Sequence, residues 1–380
     1  MTLFLITFIL VYGSMHVYTF LRIRAAFPGW PGWFNLLLAV FMSAMIFAPF
    51  IIRVLEKQSF DLAARLLSQI GYIWMGFLFL FFVSSLIMDT YRFFLHAGEW
   101  MWRKDFSSLI PSARQTLLLP LLVAVVITGY GYSEARHIRI ERIQIKSPKI
   151  PAGIGRVRIV QISDVHIGLM VTGKRLQAIL GQVEKLNPDI LVSTGDLLDG
   201  QVNGLRDSEA LLRQIKPRYG KFAVLGNHEY YSGFRQAVSF VENAGFVLLR
   251  GESSTIPGII HIAGTDDPAG KGLGLYRDIP EKELLSTLSK DLFVLFLKHR
   301  PFLESGSSGL FDLQLSGHTH QGQIFPFRIF THFMYRGLDG GFFHLQERSY
   351  LYVSRGSGTW GPPVRFLTPP EVTLIELVRE

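Results

Sequence analysis

Hydrophobic positions along this chain follow two regimes. Before about residue 132 apolar residues run almost unbroken through four stretches. These extend from about Thr2 to Leu21, Asn35 to Ile52, Ile70 to Met88 and Thr116 to Tyr130. Crossing a hydrocarbon layer ~30 Å thick takes about 20 apolar residues in a helix, and the first three stretches meet that need. The fourth is shorter and ends in Gly129-Tyr130-Gly131-Tyr132. The first lacks the basic leader and small-residue cleavage site of a signal peptide, and further spans follow it. Trp30, Trp33, Trp100 and Trp102 stand near span ends, where aromatic belts form. The pattern predicts a four-helix transmembrane domain over residues 1–132.

Over residues 133–380 the pattern changes to short apolar runs separated by polar, periodic segments. Ile138, Ile140, Ile143 and Ile145 predict a strand, bulged where the spacing slips from two to three. Strands are then predicted at Val157–Ile162, Asp189–Ser193, Lys221–Leu225, Phe246–Leu249, Ile259–Ala263, Leu292–Leu297 and Leu313–Leu315. Helical periodicity falls at Lys174–Leu186, Ser208–Ile215 and Phe234–Ala244. Strands alternating with helices predict an α/β sandwich with substantial parallel pairing.

Composition narrows the chemistry. The 380 residues contain no cysteine, so disulfides and thiolate metal sites are excluded and any metal is held by nitrogen and oxygen. The formal charge of +8 suits an anionic partner such as a phosphorylated substrate, anionic lipid or nucleic acid. With four spans the amino terminus and the carboxy-terminal domain share one side. Eight Lys and Arg flank the spans on that side and six on the other. The positive-inside rule thus places the second domain in the cytoplasm, on a multi-pass protein of the inner or plasma membrane. No acidic run suggests an ion path, so the first domain reads as an anchor rather than a transporter.

The polar residues of interest come just after the predicted strands. Asp164-Val165-His166 follows the first core strand, Gly195-Asp196 the second, and Gly226-Asn227-His228-Glu229 the third. His299 follows Leu292–Leu297, and Gly317-His318-Thr319-His320-Gln321-Gly322 follows Leu313–Leu315. Ligand sites of open α/β sheets lie beyond the carboxyl ends of strands, so five loops deliver metal-ligand residue types to one edge. A lone histidine at a strand end is ordinarily just hydrogen-bonded; five such loops in series point to a metal site.

The order D-x-H, G-D, G-N-H-E, a lone histidine and G-H-x-H resembles the calcineurin-like metallophosphoesterase superfamily, over roughly Val157 to Leu377. The phrases ISDVHIG and SGHTHQGQ and the YVSRG segment are similar to its membrane-anchored bacterial branch. The resemblance implies an αββα sandwich holding two divalent ions, manganese, iron, zinc or a mixed pair. It assigns Asp164, His166, Asp196 and His320 to one ion and Asp196, Asn227, His299 and His318 to the other, with Asp196 bridging. A hydroxide between the ions would attack phosphorus in line, since both ions lower its pKa. His228 would serve the leaving oxygen, and Glu229 would orient it or raise its basicity.

Other residues divide between function and scaffold. Protein serine/threonine phosphatases carry an arginine directly after G-D-x-x-D; here Asp199 is followed by Gly200 and Gln201, which argues against a phosphoprotein substrate. Asn227, Arg355 and Arg365 are the candidate substrate contacts. Asp199 is given no role, and His261 with Asp266 and Asp267 reads as a strand residue before a polar turn. His16 and His96 show no partner in the sequence and read as structural. The expected activity is hydrolysis of a phosphodiester or pyrophosphate bond in a lipid-linked or nucleotide substrate at the bilayer. Hydrolysis of UDP-2,3-diacylglucosamine in lipid A biosynthesis, a task of related enzymes, is the specific candidate. A nuclease would draw on Tyr230, Tyr231 and Trp360 for stacking, but no arginine-rich track accompanies them, which argues against a nucleic acid partner. A non-catalytic metal-binding sensor or scaffold is the alternative of another class.

Overall fold

The computed structural model describes residues 2–200, 205–345 and 349–380. The chain divides into two compact units, Met1–Ser133 with Pro362–Val364, and Glu134–Gly361 with Arg365–Glu380. Gln201 lies outside the described residues.

The first unit consists of α1 (Thr2–Ala26), α2 (Gly32–Lys57), α3 (Asp61–Trp102) and α4 (Ala113–Glu134). Among the described residues these four are long and apolar enough to cross a membrane. The third predicted span is only the middle of α3. No proline interrupts its 42 residues, and at 1.5 Å per residue it extends about 63 Å, roughly twice a hydrocarbon layer. Several polar side chains inside this unit are paired with one another. Trp74 Nε1 donates to His16 Nε2 at 2.9 Å, giving His16 the partner that the sequence did not reveal. Tyr18 donates to Asp89 at 2.5 Å, and Arg22 pairs with the same carboxylate while donating to the Thr116 carbonyl at 2.9 Å. Pairing of this kind is what low-dielectric surroundings demand of ionisable groups.

The second unit holds two six-stranded sheets face to face. Its strands are β1 (Arg139–Lys146), β2 (Arg156–Ile162), β3 (Ile190–Ser193), β4 (Lys221–Ala223), β5 (Val247–Leu248), β6 (Glu252–Ile256), β7 (Ile260–Gly264), β8 (Phe293–Leu297), β9 (Leu313–Ser316), β10 (Gly341–His344), β11 (Tyr350–Val353) and β12 (Glu371–Val378). One sheet runs β1-β12-β2-β3-β4-β5 and the other β10-β11-β9-β8-β7-β6. Strands β2 to β5 are mutually parallel, as are β7, β8, β9 and β11. Their residues are mostly apolar on both faces because both faces of the central strands are covered. Ile159, Val192 and Phe222 of the first sheet meet Ile262, Leu295 and Leu315 of the second in the central core. Outside the first sheet lie α5 (Gly173–Leu186), α6 (Arg206–Gln214) and α8 (Phe234–Asn243); α9 (Glu281–Ser286) covers the second. This is the αββα arrangement expected.

Strand β1 corrects one expectation. Its register with β12 is continuous from Arg139–Glu371 to Lys146–Val378, so no bulge is present. The slip from two to three instead changes faces. Ile138 and Ile140 pack on the core beneath the helices, whereas Ile143 and Ile145 pack between the sheets.

Candidate metal centre

The parallel strands of both sheets end at a common edge, and each ligand loop leaves from there. The loops approach so closely that only glycine fits between them. A Cβ on Gly226 would stand 2.1 Å from Asp196 Oδ1, and one on Gly317 would stand 1.9 Å from Ser163 Oγ. The glycines of the G-N-H-E and G-H-x-H phrases are therefore steric requirements. Asp164, His166, Asp196, His318 and His320 all have positive φ, between 47° and 72°. Non-glycine residues seldom occupy that region, and clustered strain of this kind marks functional sites.

Three groups of side chains converge closely enough to hold a cation: Asp164, His166 and His320; His166, Asp196 and His228; and Asp196, His299 and His318. His166 Nε2 and His320 Nε2 are 3.0 Å apart, as are His318 Nδ1 and His299 Nε2. Asp196 Oδ2 lies 3.2 Å from His299 Nε2 and 3.9 Å from His166 Nε2. Asn227 Oδ1 is also 3.2 Å from His299 Nε2. Buried imidazole nitrogens and carboxylates turned toward one another form a donor set that a divalent cation satisfies, so the residues fit such an ion.

Further contacts hold the donors in place. His299 Nδ1 lies 2.8 Å from the Thr194 carbonyl, so its N–H points outward and Nε2 keeps the inward lone pair. Ser163 Oγ donates to Asp164 Oδ2 at 2.5 Å, and the His318 N–H reaches both Asp164 oxygens at 3.0 Å. Burial lowers the pKa of His166 to about 4 and holds His318 and His320 well below the ordinary value. All three are therefore neutral at pH 7, as ligation requires. For His299, burial is outweighed by Asp196, which raises it to about 10. A proton and a cation compete for that nitrogen.

The structure redistributes the supporting roles. Glu229, expected to act on the His228 ring, is 1% exposed. Its carboxylate accepts the backbone N–H groups of Gly226 (2.7 Å), Asp196 (3.0 Å) and Leu198 (3.0 Å). It clamps the G-D loop to the first turn of α7 (Asn227–Tyr231) and is neither a surface acid nor a partner of the ring. Burial, with Asp196 adding, pushes its pKa up to about 7 against those donors. Glu229→Gln places an amide NH2 against N–H groups and is expected to cost about 2–3 kcal/mol of stability. Thermal unfolding of the variant beside wild type checks this. The ring of His228 is held by Asp199, whose Oδ1 is 2.9 Å from Nδ1. Asp199 thus has the role that the sequence did not assign; its only signal was its place three residues after Asp196.

Arg355 and Arg365, the candidate phosphate contacts, are engaged within the fold. Arg355 pairs with Glu371 and Glu141. Arg365 is fully buried, donates to the carbonyls of Gly358 (2.6 Å) and Arg355 (2.7 Å), and places Nη2 3.0 Å from His320 Nδ1. It supports the His320 turn. Asp266 and Asp267 pair with Arg250 and Arg300, while His261 bonds Thr255, which makes that group a strand and a polar turn. Tyr230 is buried against Phe234, but Tyr231 and Trp360 are exposed, with ring centroids 6.1 and 5.8 Å from that of His228.

The histidine–carboxylate cluster at the carboxyl edge of this two-sheet α/β fold is a candidate metal centre, and comparison with known proteins gives the class of protein that carries it. Residues 157–322 match the calcineurin-like phosphoesterase family. An uncharacterized metallophosphoesterase of Aquifex aeolicus is 38% identical over 68% of this chain and 98% of its own length. The metallophosphoesterase YkuE of Bacillus subtilis is 32% identical over 68% of this chain and 93% of its own. The Danio rerio transmembrane protein with metallophosphoesterase domain is 33% identical over 70% of this chain and 63% of its own. The chain belongs to the calcineurin-like metallophosphoesterases, which are metal-dependent phosphoester hydrolases.

Proposed function

We propose that this protein is a multi-pass membrane phosphoesterase with a dinuclear metal centre, which hydrolyses phosphodiester or pyrophosphate bonds of a lipid-linked or nucleotide substrate on the cytoplasmic side. The observation that carries the reading is Asp196, the one carboxylate that belongs to two of the three donor groups. Asp164, His166, Asp196 and His320 would hold one ion, and Asp196, Asn227, His299 and His318 the other. When bound, two divalent ions activate water at neutral pH and neutralise charge on the phosphoryl oxygens. The remaining tasks fall to the chain. Ser163 fixes the Asp164 carboxylate, Glu229 holds the backbone of the loop that carries Asp196, Asp199 orients His228, and His228 Nε2 is available to protonate the departing oxygen.

Anchoring supports a substrate that shares the bilayer, because tethering raises effective concentration. UDP-2,3-diacylglucosamine is the first such compound to test, and a soluble nucleotide diester is the contrast. The nuclease reading has less support: Tyr230 is buried, which leaves Tyr231 and Trp360 as the rim aromatics. Full-length protein in detergent, dialysed against EDTA, is expected to lose hydrolysis of bis-p-nitrophenyl phosphate. Manganese, zinc or magnesium should restore it. Undiminished turnover in protein shown to be metal-free would overturn the metal-dependent reading.

A further inference from the structure

The apolar surface of the second unit is concentrated on one short helix. α10 (Phe327–Met334, FRIFTHFM) follows the His318–His320 turn through the cis-proline step Phe325-Pro326. Its backbone sits so close to Gly322 that a Cβ there would be 2.4 Å from Arg328 N, so the helix is bolted to the loop that carries two donors. Its apolar side chains nevertheless face outward. Phe327, Ile329, Phe330 and Met334 are about half exposed and Phe333 is 77% exposed, with Phe325 beside them. Five large apolar side chains in eight residues form a contiguous patch of the kind that marks an interaction surface rather than scattered exposure.

The surroundings identify the partner. α10 contains no acidic residue. Arg328 and Arg336 are exposed; Arg328 pairs with Asp339 at 3.4 Å through Nε, and Arg336 has no ion pair among the described residues. Apolar aromatics with arginines at their margin suit the headgroup–acyl boundary of an anionic bilayer, where the rings enter and the guanidinium groups stay with the phosphates. Four helices of the same chain are long and apolar enough to cross a membrane, which would keep a bilayer surface within reach. The patch also continues toward the site. Exposed Phe302 stacks on Tyr335 with centroids 5.3 Å apart, and Tyr335 meets His318 edge-on at 5.8 Å.

We infer that α10 is a membrane-docking helix, which seats Phe327, Phe330 and Phe333 in the lipid interface and holds the donor edge of the catalytic unit at the headgroups. The inference rests on the four spans and not on the catalytic reading.

The absence of cysteine makes the test direct. Phe333→Cys in the full chain supplies a single thiol for a nitroxide, with Lys290→Cys, exposed just before β8, as the reference. Each is reconstituted in phosphatidylcholine–phosphatidylglycerol vesicles, and relaxation by oxygen is compared with relaxation by a water-soluble nickel chelate. The label at 333 should favour oxygen and the label at 290 nickel. Adding Phe330→Asp should shift the 333 label toward nickel. Nickel accessibility at 333 equal to that at 290 would overturn the inference. So would shielding from both reagents with spin–spin broadening that vanishes on dilution with lipid, because the face then meets a second copy. Met334→Cys serves as a second probe if the first variant does not fold.

Discussion

Asp196→Ala is expected to abolish metal-dependent turnover, by about a thousandfold or more, equivalent to about 4 kcal/mol in the barrier. Oδ2 of this residue faces His299 and His166 at 3.2 and 3.9 Å, while Oδ1 accepts the His228 N–H at 2.8 Å. One side chain therefore serves both donor groups and anchors the first turn of α7. Loss of its charge weakens every cation the edge can hold, and loss of its oxygens also frees the loop. Asp196→Asn separates these effects, because it keeps an acceptor for the His228 N–H but removes the charge. Both variants should lose turnover and retain less metal on elemental analysis. Asn should unfold closer to wild type than Ala. Full metal content with turnover within tenfold of wild type in either variant would remove Asp196 from its central place.

The position of Asp196 could be read from the sequence because it depends on local pattern. A buried parallel strand is a short apolar run, its carboxyl end is the next polar residue, and the flanking glycine reports the close approach. Asn227 and His318 share the flanking glycine, and Asp164, His166, His299 and His320 were legible from their place just beyond a strand end. What was not legible depends on which loops meet. Glu229 follows His228 in sequence, but as the third residue of α7 it points back to the helix start and gathers three N–H groups. Asp199 reaches His228 only because the two loops converge. Strand β12 went unread for another reason. Its first residues, Glu371 and Thr373, are buried and bond Tyr352 and each other. Polar residues at its start conceal the two-sided burial of the strand, in which Val372 and Leu374 pack beneath the helices and Ile375 and Leu377 between the sheets. Arg365 shows the opposite error: a late arginine read as a candidate substrate contact is instead buried by the packing against backbone carbonyls.

His228→Ala should slow hydrolysis by about 10²- to 10⁴-fold where the leaving group is a poor one, the usual range for a positioned proton donor. With p-nitrophenolate, which departs without help, the loss should be much smaller. A merely structural histidine would penalise both substrates alike, so the ratio of the two losses decides its role. Asp199 supplies the second half of the test. Burial acts to lower the pKa of His228, but the charges of Asp196 and Asp199 and the Asp199 hydrogen bond outweigh it and raise it to about 9. Asp199→Asn removes one charge and weakens that bond, so the imidazolium gives up its proton at lower pH. A donor must be protonated to act. The alkaline limb of kcat for the poor leaving group should therefore move toward lower pH in Asp199→Asn, while the profile for p-nitrophenyl substrates moves little. In His228→Ala the further change Asp199→Asn should have almost no effect, because the carboxylate acts through the ring alone. If the Asp199→Asn loss persists undiminished in that background, Asp199 works elsewhere and the pairing at 2.9 Å is not what tunes the reaction.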